Sequence, residues 1–220
     1  MIGAVVLAAG ESRRMGAPKL LLPFRGTTIL ECLLRVILKS PIDRTVVVLG
    51  AYEDRLRPIL AAYPVEIVVN PEYPSGMLSS VIRGLRSLPA EAEAALIFPG
   101  DQPGVSTETI GRTLAAYRRT GKGLVLPVRA GRGGLCGPPS LGRGGPGRPP
   151  SLGQGGHPLL LDMKYRDAVE GLDPGLGLRS ILSLHAGDVE RVEAAEDSGW
   201  LDIDTPGDYR RALAAEGEKH

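Results

Sequence analysis

Two glycines, two arginines and a lysine crowd the stretch Gly10-Glu11-Ser12-Arg13-Arg14-Met15-Gly16-Ala17-Pro18-Lys19. A loop of this kind offers backbone N–H groups and cations at one place, which is what a polyphosphate needs. A Walker A loop has four residues between its glycines, then Lys followed by Ser or Thr. Here five residues separate Gly10 from Gly16, and Leu20 follows Lys19. The dinucleotide fingerprint G-x-G-x-x-G is also absent. The stretch reads as a third kind of phosphate loop, with Arg14 and Lys19 as the charged donors. The plainer alternative is a solvated basic turn after a core strand.

Three further stretches carry polar residues suited to chemistry. Asp101 lies in Phe98-Pro99-Gly100-Asp101-Gln102-Pro103, held between Gly and Pro turns. Such a carboxylate can face a magnesium ion that bridges phosphates, or bond its own backbone in a turn. The residues alone leave both readings open. In Asn70-Pro71-Glu72-Tyr73-Pro74-Ser75-Gly76-Met77-Leu78-Ser79-Ser80-Val81, Gly76 and the serines let backbone and hydroxyls approach a flat base edge. The same serines also suit a helix N-cap. Arg179, after Gly175 and Gly177, can face an anionic acceptor or sit on a helix surface.

These residues need elements to position them. The apolar run Ile2 to Ala9, ended by Gly10, predicts a buried strand. Thr28-Ile29-Leu30-Glu31 is a capping box opening a helix through Leu38. Strands follow at 44–50, 65–69, 94–98 and 123–128, with helices at 52–62, 78–87 and 107–119. Strands and helices alternating in this way form βαβ units around a mostly parallel sheet. Ligands then gather at the carboxyl ends of the strands, where Gly10–Lys19, Asn70 and Asp101 all fall. Farther on, helical signals occupy 163–170 and 176–185, and strands are expected at Val189–Val192 and Leu201–Asp204. Thr205-Pro206-Gly207-Asp208 then supplies the cap, first-turn Pro and acid for a last helix to about Ala215.

Residues 130–156 break the pattern. Pro138-Pro139-Ser140-Leu141-Gly142-Arg143-Gly144-Gly145 recurs almost unchanged from Pro149 to Gly156. So polar and Gly-rich a segment cannot bury enough apolar surface to offset its ordering entropy, and a mobile insertion is expected. The remainder suits one domain over 1–220.

Composition narrows the partners. Of the residues, 43% are hydrophobic and 23% charged, and the net charge is +1. Bulk charge therefore points to neither a nucleic acid nor a membrane surface. The first apolar run stops at Gly10 with no basic leader, so it reads as a strand and not a signal peptide. Cys32 lies in an apolar helical run and Cys136 in the Gly/Pro-rich segment. Neither belongs to a disulfide framework or zinc pattern, and a reducing cytoplasm is the expected setting.

The string Leu7-Ala8-Ala9-Gly10-Glu11-Ser12-Arg13-Arg14-Met15-Gly16-Ala17-Pro18-Lys19-Leu20 resembles the signature of the MobA-like nucleotidyltransferases. Its Ala-Ala-Gly opening and Pro-Lys-Leu-Leu-Leu-Pro close are most similar to molybdenum cofactor cytidylyltransferases. The resemblance extends over most of the chain except 130–156. It implies a Rossmann-like, doubly wound α/β/α fold of the nucleotide-diphospho-sugar transferase type. It implies nucleotide contacts from Leu7, Ala8, Ala9, Gly10, Arg14, Lys19, Asn70, Gly76, Ser80 and Asp101, with Arg14 and Lys19 catalytic. Gly-Asp-Gln-Pro at Asp101 and Asp-Thr-Pro-x-Asp at Asp204 match metal-binding stretches, for Mg²⁺ or Mn²⁺. Ser80-Val81-x-x-Gly84-Leu85 resembles a cytosine-reading segment. His157, in Gly-His-Pro, matches a string of the same group and stands with Arg179 as a candidate contact to the acceptor.

The implied reaction is transfer of CMP from CTP to the phosphate of molybdenum-bound molybdopterin, with release of pyrophosphate and delivery of the product to a molybdoenzyme. Three alternatives stand beside it. One is a guanylyltransferase using GTP, and another is a cytidylyltransferase with a different phosphorylated acceptor. The third is a non-catalytic chaperone for the cofactor.

Overall fold

The computed structural model describes residues 1–129, 156–195 and 203–217. The expected mobile insertion at 130–156 lies outside these residues save for Gly156, as do Cys136 and Trp200.

Strand β1 (Ile2–Ala8) forms the middle of the structure. Hairpin strands β2 (Pro23–Phe24) and β3 (Thr27–Thr28) follow, then helix α1 (Ile29–Ile37). The expected capping box opens α1. Glu31 N donates to Thr28 Oγ1 at 3.3 Å, and Thr28 N donates to Glu31 Oε2 at 3.0 Å. The chain continues through β4 (Arg44–Leu49), α2 (Glu53–Leu60), β5 (Glu66–Val69), α3 (Met77–Ser87), β6 (Ala94–Pro99), α4 (Thr107–Thr120) and β7 (Leu124–Val128). Then come β8 (Leu159–Asp162), α5 (Arg166–Glu170), α6 (Ser180–Leu184), β9 (Val189–Glu193) and α7 (Pro206–Gly217).

Among the described residues, seven strands make one sheet in the order β5-β4-β1-β6-β8-β7-β9. Strand β1 runs parallel to both β4 and β6, with Val5 opposite Val46 and Ile97. Among the described strands, only β8 runs against its neighbours β6 and β7. Strand alternation sorts the core into two layers. Ala4, Val6 and Ala8 of β1 pack with Ile29, Leu33 and Ile37 of α1 and with Ile110 and Leu114 of α4. Val5, between them, packs on the other face with Val81 and Leu85 of α3, Val169 of α5 and Ile181 of α6. The result is the expected three-layer α/β/α arrangement around a mostly parallel sheet.

Three elements differ from the sequence reading. Leu159–Asp162 is a strand, where only resumed order was expected. The helical signal at 176–185 condenses to α6 alone, because Asp173-Pro174-Gly175-Leu176-Gly177 holds the chain in turns. Of the strand expected at Leu201–Asp204, residues 201 and 202 lie outside the described residues, and Ile203 and Asp204 are not in a strand. Ile203 is fully buried, and its N–H reaches the Asp101 carbonyl at 3.4 Å. A single bond at a strand end does not make a ladder, and the residue works as an anchor.

Candidate functional site

The loop that follows β1 is tied to the strand ends on either side. Gly100 N donates to Leu7 O at 2.9 Å, and Ala51 N donates to Ala9 O at 3.1 Å. Tyr52 Oη donates to Glu11 O at 2.9 Å. Inside the loop, Met15 N donates to Ser12 O and Lys19 N donates to Ser12 Oγ, the latter at 3.2 Å. Ser12 thus closes the loop on itself and brings Lys19 back over the end of β1.

Lys19 is the meeting point. Its ammonium donates to Asp101, just past β6, and to Asp204 Oδ1, just before α7, at 2.9 Å. Arg14 Nη1 donates to Asp204 Oδ2 at 3.1 Å. The Lys19 and Asp101 side chains are each only 16% exposed. Burial pushes the Lys19 pKa down, but the charges and hydrogen bonds of Asp101 and Asp204 outweigh it and hold it above its ordinary value. The amine stays charged.

Asp204 owes its place to the capping box of α7. Asp208 Oδ2 accepts from Thr205 N at 2.7 Å, from Thr205 Oγ1 at 2.7 Å and from Asp204 N at 3.3 Å. Asp208 N in turn donates to Thr205 Oγ1 at 3.2 Å. The helix itself is moored by Tyr209 Oη, which donates to Pro23 O at 2.6 Å.

On the opposite side of the loop stands the joint between β5 and α3. Tyr73 and Pro74 form part of a short 3-10 turn, and Gly76 adopts φ +119°, a conformation strained for any side chain. The Tyr73 ring lies against Gly50. A Cβ on Gly50 would stand 2.8 Å from Tyr73 Cγ and 2.7 Å from Ala9 O.

Together these walls enclose a cleft of about 460 Å³, running from Tyr73, Gly76, Met77 and Ser80 across Gly10–Arg14 to Lys19, Asp101 and Asp204. Leu7, Ala9, Gly10, Arg14, Lys19, Gly76, Ser80, Asp101 and Asp204 all line it. Ala8 does not, because alternation along β1 turns its side chain into the core. Nor does Asn70, which is 3% exposed and spends its amide inside the joint. His157 and Arg179 are also absent from its lining. His157 precedes β8 beside the Ile97 backbone, with Nδ1 buried and unpartnered, and burial followed by the nearby Arg179 charge lowers its pKa to about 4. Tyr73 and Met77 were given no role from sequence. The sign that marks Tyr73 is an aromatic flanked by Pro71 and Pro74 at the carboxyl end of a strand.

Among the described residues no three His, Cys, Asp or Glu side chains converge as a metal cluster. Asp101 and Asp204 do converge on one cation, the Lys19 ammonium. Two carboxylates around one cation position fit Mg²⁺ or Mn²⁺, which completes its shell with phosphate oxygens and water.

Residues 4–192 match the MobA-like NTP transferase domain family. The chain belongs to that family. Relatives within reach of this MobA-like chain carry different activities in their names. One, "Nicotine blue oxidoreductase" of Paenarthrobacter nicotinovorans, is 31% identical over 96% of both chains. Another, "Probable molybdenum cofactor guanylyltransferase" of Bacillus cereus, is 31% identical over 58% of this chain and 62% of its own. Among solved structures, a nucleotidyl transferase from Methanothermobacter thermautotroptrophicus superposes with a TM-score of 0.78 at 25% identity, over 100% of this chain and 99% of its own. A manganese complex of Rv0371C from Mycobacterium tuberculosis H37Rv superposes at 0.70 with 25% identity, over 97% and 98%. No helix among the described residues is long and apolar enough to cross a membrane.

Proposed function

We propose that this chain transfers CMP from CTP to a phosphorylated acceptor, with molybdenum-bound molybdopterin as that acceptor. The observation that carries the reading is the Lys19 ammonium held by Asp101 and Asp204 at one end of the cleft. That is a cation-and-carboxylate cluster placed where the backbone of Gly10–Arg14 can cradle phosphates.

An acceptor phosphate oxygen attacks the α-phosphorus. The new P–O bond forms as the bond to the β-phosphate oxygen breaks, and pyrophosphate leaves with that electron pair. Arg14 and Lys19 balance the charge that builds on the α- and leaving phosphates. The loop fixes the triphosphate so that attack and departure lie in line. Asp101 and Asp204 would hold Mg²⁺, which would supply charge neutralisation at the phosphates. No nucleophilic side chain is required.

The test is pyrophosphate release with CTP and with GTP, each with and without molybdenum cofactor. Release that needs both CTP and the cofactor supports the proposal. Release with GTP alone supports the guanylyl alternative, consistent with the Bacillus cereus relative's name. Tight cofactor binding with no release from either nucleotide supports the chaperone.

A second reading rests on the relative named an oxidoreductase, which matches over 96% of both chains. Here the same cleft holds a dinucleotide that donates hydride. Oxidation of NADH or NADPH by a dye acceptor, without pyrophosphate release, selects it. The paired carboxylates around Lys19 weigh against it, since hydride transfer gives them no task.

A further inference from the structure

Asp204 reaches the cleft on an element with little apolar footing. Among the described side chains of α7 only Ala212 is buried, and Tyr209 packs partly against the same core. Ile203, just before the helix, is the other buried anchor. Contacts this few and non-directional do not fix the rotation of a helix about its axis. Polar tethers must therefore set where Asp204 stands.

Two tethers come from the hairpin of β2 and β3. Tyr209 Oη donates to Pro23 O at 2.6 Å, and Arg25 pairs with Glu216, about two turns farther along α7. The hairpin turn is built on Arg25 at φ +49° and Gly26 at φ +72°. Two positive φ values in a two-residue turn suit Asn, Asp or Gly at the first position, and Arg is strained there. The strained residue is the one whose guanidinium reaches Glu216, with Cζ 5.2 Å from the centre of the Phe24 ring. Backbone strain is retained where its geometry serves a site.

The same hairpin follows directly on Lys19. Leu21 N donates to Pro18 O at 3.0 Å, Leu22 N to Lys19 O at 3.1 Å and Ile29 N to Leu22 O at 3.1 Å, so the link from Lys19 to Pro23 is short and held. The link from Asp204 to Tyr209 is the capped first turn of α7. The two links close into a ring, joined at one end by the Lys19–Asp204 ion pair and at the other by the Tyr209–Pro23 bond.

We infer that the β2–β3 hairpin is a clamp that sets the Asp204 carboxylate opposite Asp101, with Tyr209 and Arg25 as positioning residues. Neither lines the cleft. The inference rests on the reading of Asp101 and Asp204 as the metal-holding pair, and adds what fixes one acid against the other. Groups that orient a metal ligand cost about tenfold or more in metal affinity when removed.

The experiment titrates Mn²⁺ alone by electron paramagnetic resonance into the wild type, Tyr209→Phe, Arg25→Asn and Asp204→Ala, and records each melting temperature in chelator. Tyr209→Phe keeps the ring on the core and removes only the bond to Pro23. Arg25→Asn suits the turn and removes the grip on Glu216. The expected Mn²⁺ affinity is about tenfold lower in Tyr209→Phe and about threefold lower in Arg25→Asn. Arg25→Asn should nevertheless melt no lower than the wild type, because relief of strain offsets the lost exposed ion pair. A merely structural role would move melting and affinity together. Wild-type affinity in folded Tyr209→Phe, or in Arg25→Asn, overturns the inference. If Tyr209→Phe fails to fold, Arg25→Asn decides alone. A wild type that binds Mn²⁺ no better than Asp204→Ala overturns the metal reading itself, and this inference with it.

Discussion

Lys19 Nζ donates to Asp204 Oδ1 at 2.9 Å across 185 positions of sequence, while the same ammonium pairs with Asp101. One cation thus joins the loop after β1, the end of β6 and the start of α7. Removing it leaves two carboxylates facing each other with no cation shared between them, Arg14 pairing with Asp204.

Lys19→Ala is therefore expected to lower turnover by at least about a hundredfold. It should also melt several degrees lower in chelator. Added Mg²⁺ or Mn²⁺ should raise its melting temperature more than that of the wild type, because no ammonium competes for the two acids. Thermal melts with and without metal check this. Equal metal shifts in both proteins would contradict the shared-cation geometry. Asp101→Ala should abolish turnover with the fold intact and remove the metal shift.

Asp208 acts through Asp204. Its carboxylate gathers Thr205 N, Thr205 Oγ1 and Asp204 N. Asp208→Ala is expected to lower stability through the lost cap. Turnover should fall further than that loss explains, because Asp204 loses its backbone anchor. Asp208→Asn should rescue stability more than turnover. Turnover that simply tracks stability would assign Asp208 to the cap alone.

His157 predicts an acid slope in stability. Burial, then Arg179, lowers its pKa from 6.5 to about 4. As pH falls, the unfolded chain takes up the proton first, so folding loses stability from about pH 6.5 down to about 4 and no further below that. His157→Gln should flatten the urea midpoint over that window. An unchanged slope would show that other groups carry it.

Much of this was legible because it is local. The capping boxes at Thr28 and Thr205 are spelled within four residues, and the strand-loop pattern of Ile2–Lys19 needs no distant partner. Strand β8 was hidden because Leu159–Leu161 is too short to show a period and follows the repetitive segment. The strand expected at Leu201–Asp204 is not formed in its described half, where Ile203 N–H reaches Asp101 O just past β6. Asn70 stands among the expected nucleotide contacts, and its amide bonds to Ser79, Ser80 and Glu72 N, which the sequence does not spell. The residues of the Lys19, Asp101 and Asp204 cluster were each marked by their own motif, but their convergence on one ammonium depends on the sheet order.

A crystal soaked with a non-hydrolysable CTP analogue and Mn²⁺ tests the central claim most directly. The expected map shows the phosphates against Gly10–Lys19, anomalous signal for manganese between Asp101 and Asp204, and the cytosine at Ser80. Nucleotide density in any other part of the molecule, or manganese bound away from those two acids, would contradict it.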